Sequence, residues 1–319
     1  MTSSQTSCEL SVVVPIYNEV ETLPELECRL RRVLDGLPLS SEVILVNDGS
    51  QDASLDMLRC WSGRDSRVRV IDFSRNFGHQ AALYAGLCRA RGSATVLMDG
   101  DLQDPPEVIA EMVRRWHEGY EVVYAVRRRR KEGLLKRLAY AGFYRLLHAV
   151  AYLKIPLDSG DFSLLDRRVL AVLREMPERN KFLRGLRTWA GFRQTSLPYE
   201  RDARYAGHTK YSLAKLLRLA FDGIVSYSYV PLRLSYAFGL IVSASSFALA
   251  VVYLGQRLFS QQYIPQGFTT LAILILFLGG VQLLSLGLVG EYIGRIYDEV
   301  KRRPEFVERE LIGFDGEPG

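Results

Sequence analysis

Residues 42–50 read EVILVNDGS, a short β-branched run that ends in a polar turn, and the recurrence of this pattern decides the fold. Longer stretches with apolar residues at helical spacing separate the runs. The predicted strands cover 10–14, 42–46, 68–73, 94–98 and 121–126, and the predicted helices cover 21–37, 54–61, 80–90 and 106–118. Strands separated by helices of this length require right-handed crossovers. Residues up to about 165 are therefore predicted to form an α/β domain around a mostly parallel sheet.

Polar residues follow each predicted strand directly. The carboxyl ends of parallel strands share one edge of a sheet, and ligands of open α/β sheets bind there. We therefore expect one binding crevice built from these loops. The loops are PIYNE at 15–19, NDGS at 47–50, SRNFGH at 74–79, DGDLQD at 99–104 and the basic run that starts at Arg127.

Asp99-Gly100-Asp101 is the sharpest local signal in these loops. Two carboxylates this close after a buried strand repel each other, and Mg²⁺ or Mn²⁺ would remove that repulsion and bridge to phosphate oxygens. The glycine lets the backbone come close to a ligand. The alternative interpretation is a solvated acidic turn. The four histidines are too scattered along the chain to compete as a metal cluster.

Charge is distributed very unevenly along the chain. Arg257 is the only charged residue in the 57 residues from Leu234 to Gly290. Two charge-free stretches of 23 residues, 234–256 and 268–290, flank a polar loop that contains Pro265 and Gly267. A bilayer core needs about 20 apolar residues in a helix. The pattern predicts a hairpin of two membrane spans, and the alternative is a pair of buried core helices.

Basic residues flank the hairpin on one side only. Lys215, Arg218 and Arg233 precede it, and Arg295 and 301–303 follow it. This asymmetry predicts that both termini and the α/β domain are cytoplasmic. Residues 210–232 form an amphipathic pattern typical of a helix lying at the membrane surface, although a core helix of the α/β domain fits the same pattern.

Composition and missing motifs exclude several classes of protein. Apolar residues make up 48% and charged residues 24%, which excludes disordered and collagen-like chains. The four cysteines include no CxxC pair, so neither a zinc ribbon nor a disulfide framework is expected. The absence of GxxxxGK[ST] and GxGxxG argues against an NTPase and a dinucleotide-dependent dehydrogenase. The N-terminal residues do not resemble a signal peptide, and no nucleic-acid partner is predicted.

Several motifs in register resemble one enzyme family. They are SVVVPIYNEVETL at 11–23, EVILVNDGSQD at 42–52, FSRNFGHQAAL at 73–83, LMDGDLQDPPE at 97–107, IPLDSGDFSLLDR at 155–167 and YAGHTKYSLAKLLRLAFDGI at 205–224. Together they resemble family 2 glycosyltransferases of GT-A fold, in the branch that acts on polyprenyl phosphates. This branch includes dolichyl-phosphate mannose synthase and bacterial undecaprenyl-phosphate glucosyltransferases. The family's loop usually reads GxSKYS, and here residues 207–212 read GHTKYS, in which the threonine keeps the hydroxyl.

The resemblance implies roles for individual residues. The nucleotide-sugar site would contain Pro15, Tyr17, Asn18, Glu19, Asp48, Asp99 and Gly100. The metal, Mg²⁺ or Mn²⁺, would be held by Asp99, Asp101 and Gln103. Phosphate groups of the donor or the lipid acceptor would contact Arg127, Arg204 and Lys210.

The resemblance also implies a catalytic carboxylate, for which Asp161 is the first choice and Asp158 the reserve. From the residues alone, each could equally cap a turn or pair with Arg167 or Arg168. A phosphate acceptor is already ionised near neutral pH, so the carboxylate need not be a strong base and could orient the acceptor or the sugar instead.

The expected function is an inverting transfer of a hexose, glucose first, from a UDP-sugar to undecaprenyl phosphate. The sugar, the nucleotide and the choice of metal stay open. The expected organisation is a Rossmann-like GT-A domain at 1–209, an interfacial region at 210–232, two transmembrane helices within 233–290 and a cytoplasmic tail at 291–319. The resemblance implies that the protein lies in the bacterial inner membrane. It also implies a homo-oligomer, for which a tetramer is one candidate. The alternatives are a processive polysaccharide synthase and a catalytically silent nucleotide-binding scaffold.

Overall fold

The computed structural model describes residues 8–127, 159–178, 181–200 and 267–314, together with 232, 235–242, 244–245, 247–248 and 251. The chain divides into two compact units. The described residues of the first unit run from 8 to 200 and from 303 to 314, and those of the second lie between 232 and 302.

The first unit contains an eight-stranded sheet. Its strands are β1 Leu10–Ile16, β2 Ser41–Asn47, β3 Val68–Phe73, β4 Ala94–Leu97, β5 Val122–Arg127, β6 Ser159–Asp166, β7 Gln194–Tyr199 and β8 Glu308–Ile312. They lie in the order β7-β5-β6-β4-β1-β2-β3-β8. The pairs β1/β2, β1/β4, β2/β3 and β5/β7 are parallel, whereas β6 and β8 pair antiparallel with their neighbours. The predicted mostly parallel sheet is confirmed.

Six helices cover the two faces of this sheet. They are α1 Leu23–Asp35, α2 Ser54–Arg64, α3 His79–Arg89, α4 Val108–His117, α5 Arg167–Glu175 and α6 Leu183–Ala190. One core joins α1, α2 and α4 to the sheet through residues such as Leu30, Leu58 and Met112. The other joins α3, α5 and α6 through residues such as Leu83 and Leu173. Burial on both faces explains why the parallel strands read as nearly continuous apolar runs.

Three strands were not indicated by the sequence, namely β6, β7 and β8. The strand β6 is inserted antiparallel between β4 and β5, so the fifth predicted strand does not pair with the fourth. The strand β8 comes from the stretch predicted to be a tail, and it pairs with β3 at the edge of the sheet. Its sequence, ERELI, is mostly charged. Charged residues are common on edge strands because they discourage pairing with other chains.

The second unit contains a long helix, α7, from Phe268 to Val300. Its 33 residues span about 50 Å, which exceeds the thickness of a bilayer core of about 30 Å. Most of its described apolar side chains are exposed, for example Leu283 at 71% and Leu284 at 78%, and none is buried. This exposure contradicts the alternative of a buried core helix for this part of the chain.

The second predicted span, 268–290, lies within α7. Among the described residues, one helix segment, Phe277–Val300, is long and apolar enough to cross a membrane. Of the first predicted span, 234–256, the described residues are helical, and the Ser235 hydroxyl donates to Ser285 Oγ of α7 at 3.0 Å. Its remaining residues lie outside the described part of the chain, so the two-span arrangement stays a prediction.

Candidate active site

Asp48 lies directly after β2 and ties this strand end to the loop after β3. It is buried, and its carboxylate accepts the backbone N–H groups of Phe77 at 2.7 Å and Gly78 at 3.0 Å. Burial raises the pKa of Asp48, although these two N–H groups oppose the shift. The predicted nucleotide-binding carboxylate therefore also positions the loop that leads into α3.

The loop after β1 is tied to the loop after β2. Asn18 has a left-handed backbone with φ of 54°, its N–H donates to Ser50 Oγ at 3.0 Å, and its Oδ1 accepts the N–H of Gln51 at 2.8 Å. The neighbouring ring of Tyr17 is 44% exposed. Asn18 and Tyr17 thus sit at the open carboxyl edge of the sheet, as the sequence predicts.

The two other residues predicted in this loop have structural contacts. Pro15 is buried within β1, where it pairs with Val46. The carboxylate of Glu19 accepts the hydroxyl of Thr22 at 2.7 Å, next to the start of α1. The role of both residues in a nucleotide pocket stays a prediction.

Gly49 permits the close approach of the two loops that Asp48 joins. It has a φ of 67°, and a Cβ placed there would lie 2.5 Å from the carbonyl carbon of Arg75. We expect Gly49→Ala to destabilise the protein by about 2 kcal/mol or more, because the left-handed backbone and the overlap both oppose a side chain. The measurement is the melting temperature of the purified full chain in detergent.

Gly63 provides the matched control for Gly49→Ala. It lies in α2, and a Cβ placed there would meet no heavy atom within 4 Å. Gly63→Ala should therefore raise stability by about 0.5–1 kcal/mol, as alanine does in an open helical position. Equal melting temperatures for the two variants would contradict the role given to Gly49.

Three carboxylates cluster after β4. Asp101 and Asp104 are buried; Asp101 Oδ1 accepts the N–H of Gln103 at 3.1 Å, and Asp104 accepts the hydroxyl of Tyr199 at 2.6 Å. The Oδ1 atom of Asp99 is buried and has no hydrogen-bond partner, although His79 Nε2 lies 3.4 Å away. Burial, followed by the charge of Asp104, raises the pKa of Asp99 to about 7. The cluster carries negative charge that the protein only partly compensates.

Gly100 has a packing role that the sequence did not suggest. A Cβ at this position would lie 2.7 Å from Ile16 Cδ1 and 3.0 Å from the carbonyl oxygen of Pro15. The glycine therefore lets the loop after β4 pack against β1. This contact requires a residue without a Cβ, and the predicted approach of a ligand to Gly100 stays a prediction.

The loop after β4 fits a divalent cation through its chemistry. Asp99 offers an unbonded buried oxygen, and Asp101 offers a second carboxylate two residues away. No group of three or more His, Cys, Asp or Glu side chains arranged as metal ligands occurs among the described residues. Mg²⁺ bound through one or two carboxylates commonly takes its other ligands from substrate phosphates and water. The residues therefore fit a cation that arrives together with a diphosphate.

Asp161 lies near the start of β6 and is held by side chains from two helices. Its carboxylate accepts Arg184 Nε at 2.9 Å and Gln80 Nε2 at 3.0 Å, and His79 Nε2 lies 3.5 Å away. Burial would raise the pKa of Asp161, but hydrogen bonds from His79 and Arg184 outweigh it and hold the pKa well below its usual range. The partner of Asp161 is therefore Arg184, and neither of the arginines considered from the sequence.

The segment 77–80, which follows β3, connects the end of β2, the end of β4 and the start of β6. Phe77 and Gly78 bind Asp48 after β2, while His79 lies between Asp99 after β4 and Asp161 in β6. The sequence pointed to this loop as a polar strand end and as part of the motif at 73–83, but it assigned no role to His79 and gave no sign of Arg184. The predicted convergence is thus observed for the ends of β1, β2, β3 and β4, together with the start of β6.

Three predicted site residues, Asp158, Arg204 and Lys210, lie outside the described residues. Arg127 is the last residue of β5, and its side chain also lies outside the description. The roles assigned to these four residues stay predictions.

Comparison with known proteins identifies the family. Residues 11–174 match the model of glycosyl transferase family 2, and residues 231–296 match the model of the GtrB C-terminal hairpin. This chain belongs to glycosyltransferase family 2. The glycosyltransferase identity and the predicted resemblance to the polyprenyl-phosphate branch are thereby confirmed, and the GT-A-like α/β sheet agrees with them.

Curated relatives match this glycosyltransferase over nearly its whole length. It is 47% identical to the uncharacterized glycosyltransferase YkcC of Bacillus subtilis, over 96% of this chain and 95% of that protein. It is 39% identical to the bactoprenol glucosyl transferase of Shigella phage SfII, over 94% of this chain and 97% of that protein. A glucosyl-3-phosphoglycerate synthase structure from Mycobacterium tuberculosis covers 68% of this chain and 76% of its own, at 20% identity and a TM-score of 0.46, too distant to inform function.

Proposed function

We propose that this glycosyltransferase transfers a hexose, with inversion, from a nucleotide sugar to polyprenyl phosphate. The proposed donor is UDP-glucose and the proposed acceptor is undecaprenyl phosphate at the cytoplasmic face of the bacterial inner membrane. The observation that carries the proposal is the juxtaposition of the Asp99–Asp101 cluster with Asp161, joined by His79. Relatives of the same length named bactoprenol glucosyl transferases, together with the matching hairpin model, support the acceptor.

The donor's nucleoside is assigned to the loops after β1 and β2. Tyr17 and Asn18 are exposed there. The resemblance assigns the buried Asp48 to a ribose or base contact. The diphosphate is assigned to the loop after β4. Asp99 and Asp101, with Gln103 nearby, would hold a divalent cation, which would supply charge neutralisation of the departing diphosphate.

Asp161 is proposed to position the reacting groups as a fixed carboxylate. Its low pKa makes it a poor proton acceptor, so it contributes as an anion held in place by Arg184 and Gln80. The acceptor phosphate supplies an ionised oxygen as the nucleophile. This oxygen forms a bond to the anomeric carbon while the bond from that carbon to the diphosphate oxygen breaks, so no proton needs to be removed. Asp158 remains the reserve candidate for this role.

Cationic residues and the membrane hairpin complete the proposal. Arg127, Arg204 and Lys210 are assigned to the phosphates of the donor or the acceptor, because guanidinium and ammonium groups suit phosphate oxygens. A hairpin on the same chain keeps the catalytic unit at the bilayer surface, where the lipid phosphate is presented. The homo-oligomer implied by the resemblance stays a prediction.

A donor panel tests this function. The purified full chain in detergent is incubated with undecaprenyl phosphate, Mg²⁺ or Mn²⁺ and one labelled donor at a time, with UDP-glucose, UDP-galactose, UDP-N-acetylglucosamine and GDP-mannose in turn. We expect label in the lipid extract with a single sugar per lipid, and most label from UDP-glucose. Labelled polymer would indicate a processive synthase. No label from any donor, with intact nucleotide binding, would indicate a silent scaffold.

A further inference from the structure

We infer that the C-terminal segment 303–314, which follows the membrane helix, positions the nucleotide-binding loops, and that Arg309 is its main positioning residue. This inference rests on the proposed function, since it concerns the pocket assigned to the donor nucleotide. It goes further because it gives a part in donor binding to a stretch that the sequence marked only as a tail.

Arg309 reaches a buried carboxylate on the neighbouring strand. Asp72 in β3 is fully buried, and its Oδ2 accepts Arg309 Nε and lies 2.7 Å from Arg309 Nη2. The register shifts at this point, because Glu308 pairs with Phe73 and Glu310 pairs with Asp72. Arg309 is therefore the extra residue of a β-bulge, and bulges commonly redirect a side chain beside an active site.

The buried carboxylate continues towards the nucleotide loops. The other oxygen of Asp72 accepts Asn47 Nδ2 at 2.7 Å, and Asn47 is the buried last residue of β2, directly before Asp48. Asn47 Oδ1 accepts the N–H of Ser50 at 3.3 Å, and Ser50 Oγ accepts the N–H of Asn18 at 3.0 Å. An unbroken series of polar contacts thus runs from Arg309 to the predicted nucleotide pocket.

A second, apolar series starts from the same segment. Phe306 stacks on Phe73 with ring centroids 5.1 Å apart, and Phe73 meets Phe77 edge-on at 5.6 Å. The N–H of Phe77 is one of the groups that bind Asp48. The carbonyl of Val307 also accepts the N–H of Ser74 at 3.0 Å, at the start of the same loop. Both loops that bracket Asp48 are therefore braced by residues 306–309.

Loss of Arg309 would leave the Asp72 carboxylate buried, with the Asn47 amide as its remaining side-chain partner among the described residues. A buried charge that loses its partner is strongly unfavourable, so the carboxylate and its neighbours would rearrange or admit water. Asn47 would lose its fixed acceptor, and the loop carrying Asp48 and Ser50 would lose its support. The consequence is a weaker nucleotide site, while the carboxylates in the loop after β4 and at the start of β6 stay unchanged.

The test measures nucleotide affinity in the purified full chain. With Mn²⁺ present, UDP, GDP, CDP and dTDP are titrated calorimetrically, and the tightest of the four serves as the probe. We expect Arg309→Gln to raise the Kd of the probe and the KM of the matching nucleotide sugar at least about fivefold, at the lower edge of couplings between linked sites. We also expect kcat at saturating donor to stay within about twofold and the KM for lipid phosphate to stay unchanged.

Controls separate positioning from a general loss of structure. Glu310 lies in β8 beside Arg309 and forms an exposed ion pair with Arg59 at 2.6 Å. Arg59→Gln removes this pair and should leave the Kd unchanged. Arg309→Lys, which keeps the charge, should recover part of the affinity. In an Asp72→Asn background, Arg309→Gln should add no further loss, because the buried charge is already gone. Mere misfolding would instead lower the active fraction and the apparent kcat at unchanged KM.

Each remaining outcome contradicts the inference. Arg309→Gln with the affinity of the unaltered chain would overturn the role of Arg309 while leaving the proposed function intact. If Arg309→Gln and Arg309→Lys both fail to fold, Phe306→Leu must raise the Kd of the probe, and an unchanged Kd there overturns the inference. If the unaltered chain binds none of the four nucleotides, both the proposed function and this inference are wrong.

Discussion

Asp161→Asn is expected to lower the transfer rate by about a thousandfold, the upper end for removal of one oriented electrostatic group. The side chain keeps its size, but one carboxylate oxygen becomes an NH₂ group, which can only donate. Gln80 and Arg184 both donate to Asp161, so the new NH₂ group would meet a donor. One of the two contacts must break, and the fixed negative charge beside Asp99 is lost. The measurement is kcat with purified protein, labelled UDP-glucose and undecaprenyl phosphate.

Asp166→Asn is the control for this substitution, because it lies at the opposite end of the same strand. Its carboxylate accepts Trp116 Nε1 at 2.8 Å and the N–H of Arg168 at 2.9 Å, far along β6 from Asp161. We expect its kcat to stay within about twofold, with a small loss of stability typical of a helix cap. Asp161→Asn with more than a tenth of the normal kcat would exclude Asp161 and leave Asp158 as the candidate.

The pKa of Asp161 adds a pH criterion. Because its folded-state pKa is depressed, its ionised form contributes to stability above the unfolded pKa of about 3.9, and that contribution is lost only as the pH falls towards the lower folded value. Asp161 is therefore ionised throughout the pH range 5–9. A change in kcat with an apparent pKa in that range must come from another group.

Asp101→Asn is expected to lower metal-dependent transfer by about a hundredfold or more while the protein stays folded. Asp101 Oδ1 accepts the N–H of Gln103, and an asparagine oxygen can accept the same bond, so the local turn is preserved. The substitution also removes one negative charge from the cluster. The measurement is the rate as a function of Mn²⁺ and Mg²⁺ concentration, together with the melting temperature.

Glu107→Gln is the control for Asp101→Asn. Glu107 precedes α4 in the same loop, and it forms an ion pair with Arg29 at 2.6 Å on the protein surface. Loss of this ion pair should leave both the rate and the metal concentration for half-maximal rate unchanged, because ion pairs on the surface contribute little to stability. Full activity in purified Asp101→Asn, with an unaltered metal requirement, would show that Asp101 is not part of the metal site.

Local patterns predicted most of the catalytic unit. The five runs of β-branched residues became β1 to β5, and the four helical patterns became α1 to α4, with ends that differ by a few residues. These signals are periodicities of two and about 3.6 residues, and burial on a shared face reinforces them. The strand β6 escaped prediction because its sequence, SGDFSLLD, begins with a serine, a glycine and an aspartate and shows no simple alternation.

Site residues could be predicted where they directly follow a strand. They could not be predicted where their role depends on contacts between residues that are distant in sequence. Asp48, Asp99 and Asp101 stand at strand ends, so topology alone places them at one edge. His79 was set aside because isolated histidines rarely form metal clusters, yet it lies between Asp99 and Asp161. Arg184 sits in a helix with no motif around it, and only packing of α6 against β6 reveals its contact with Asp161.

The sequence by itself determined the mostly parallel α/β sheet, the edge at which its polar loops gather and the membership of glycosyltransferase family 2. Periodicity, charge and strand-end chemistry are local properties, and they can be read along the chain. The tertiary structure alone decided which groups hold those loops. Asp161 meets Gln80 across 81 residues, and Asp72 meets Arg309 across 237. Such contacts depend on how whole elements pack, because a buried charge needs a partner but local sequence does not specify which one.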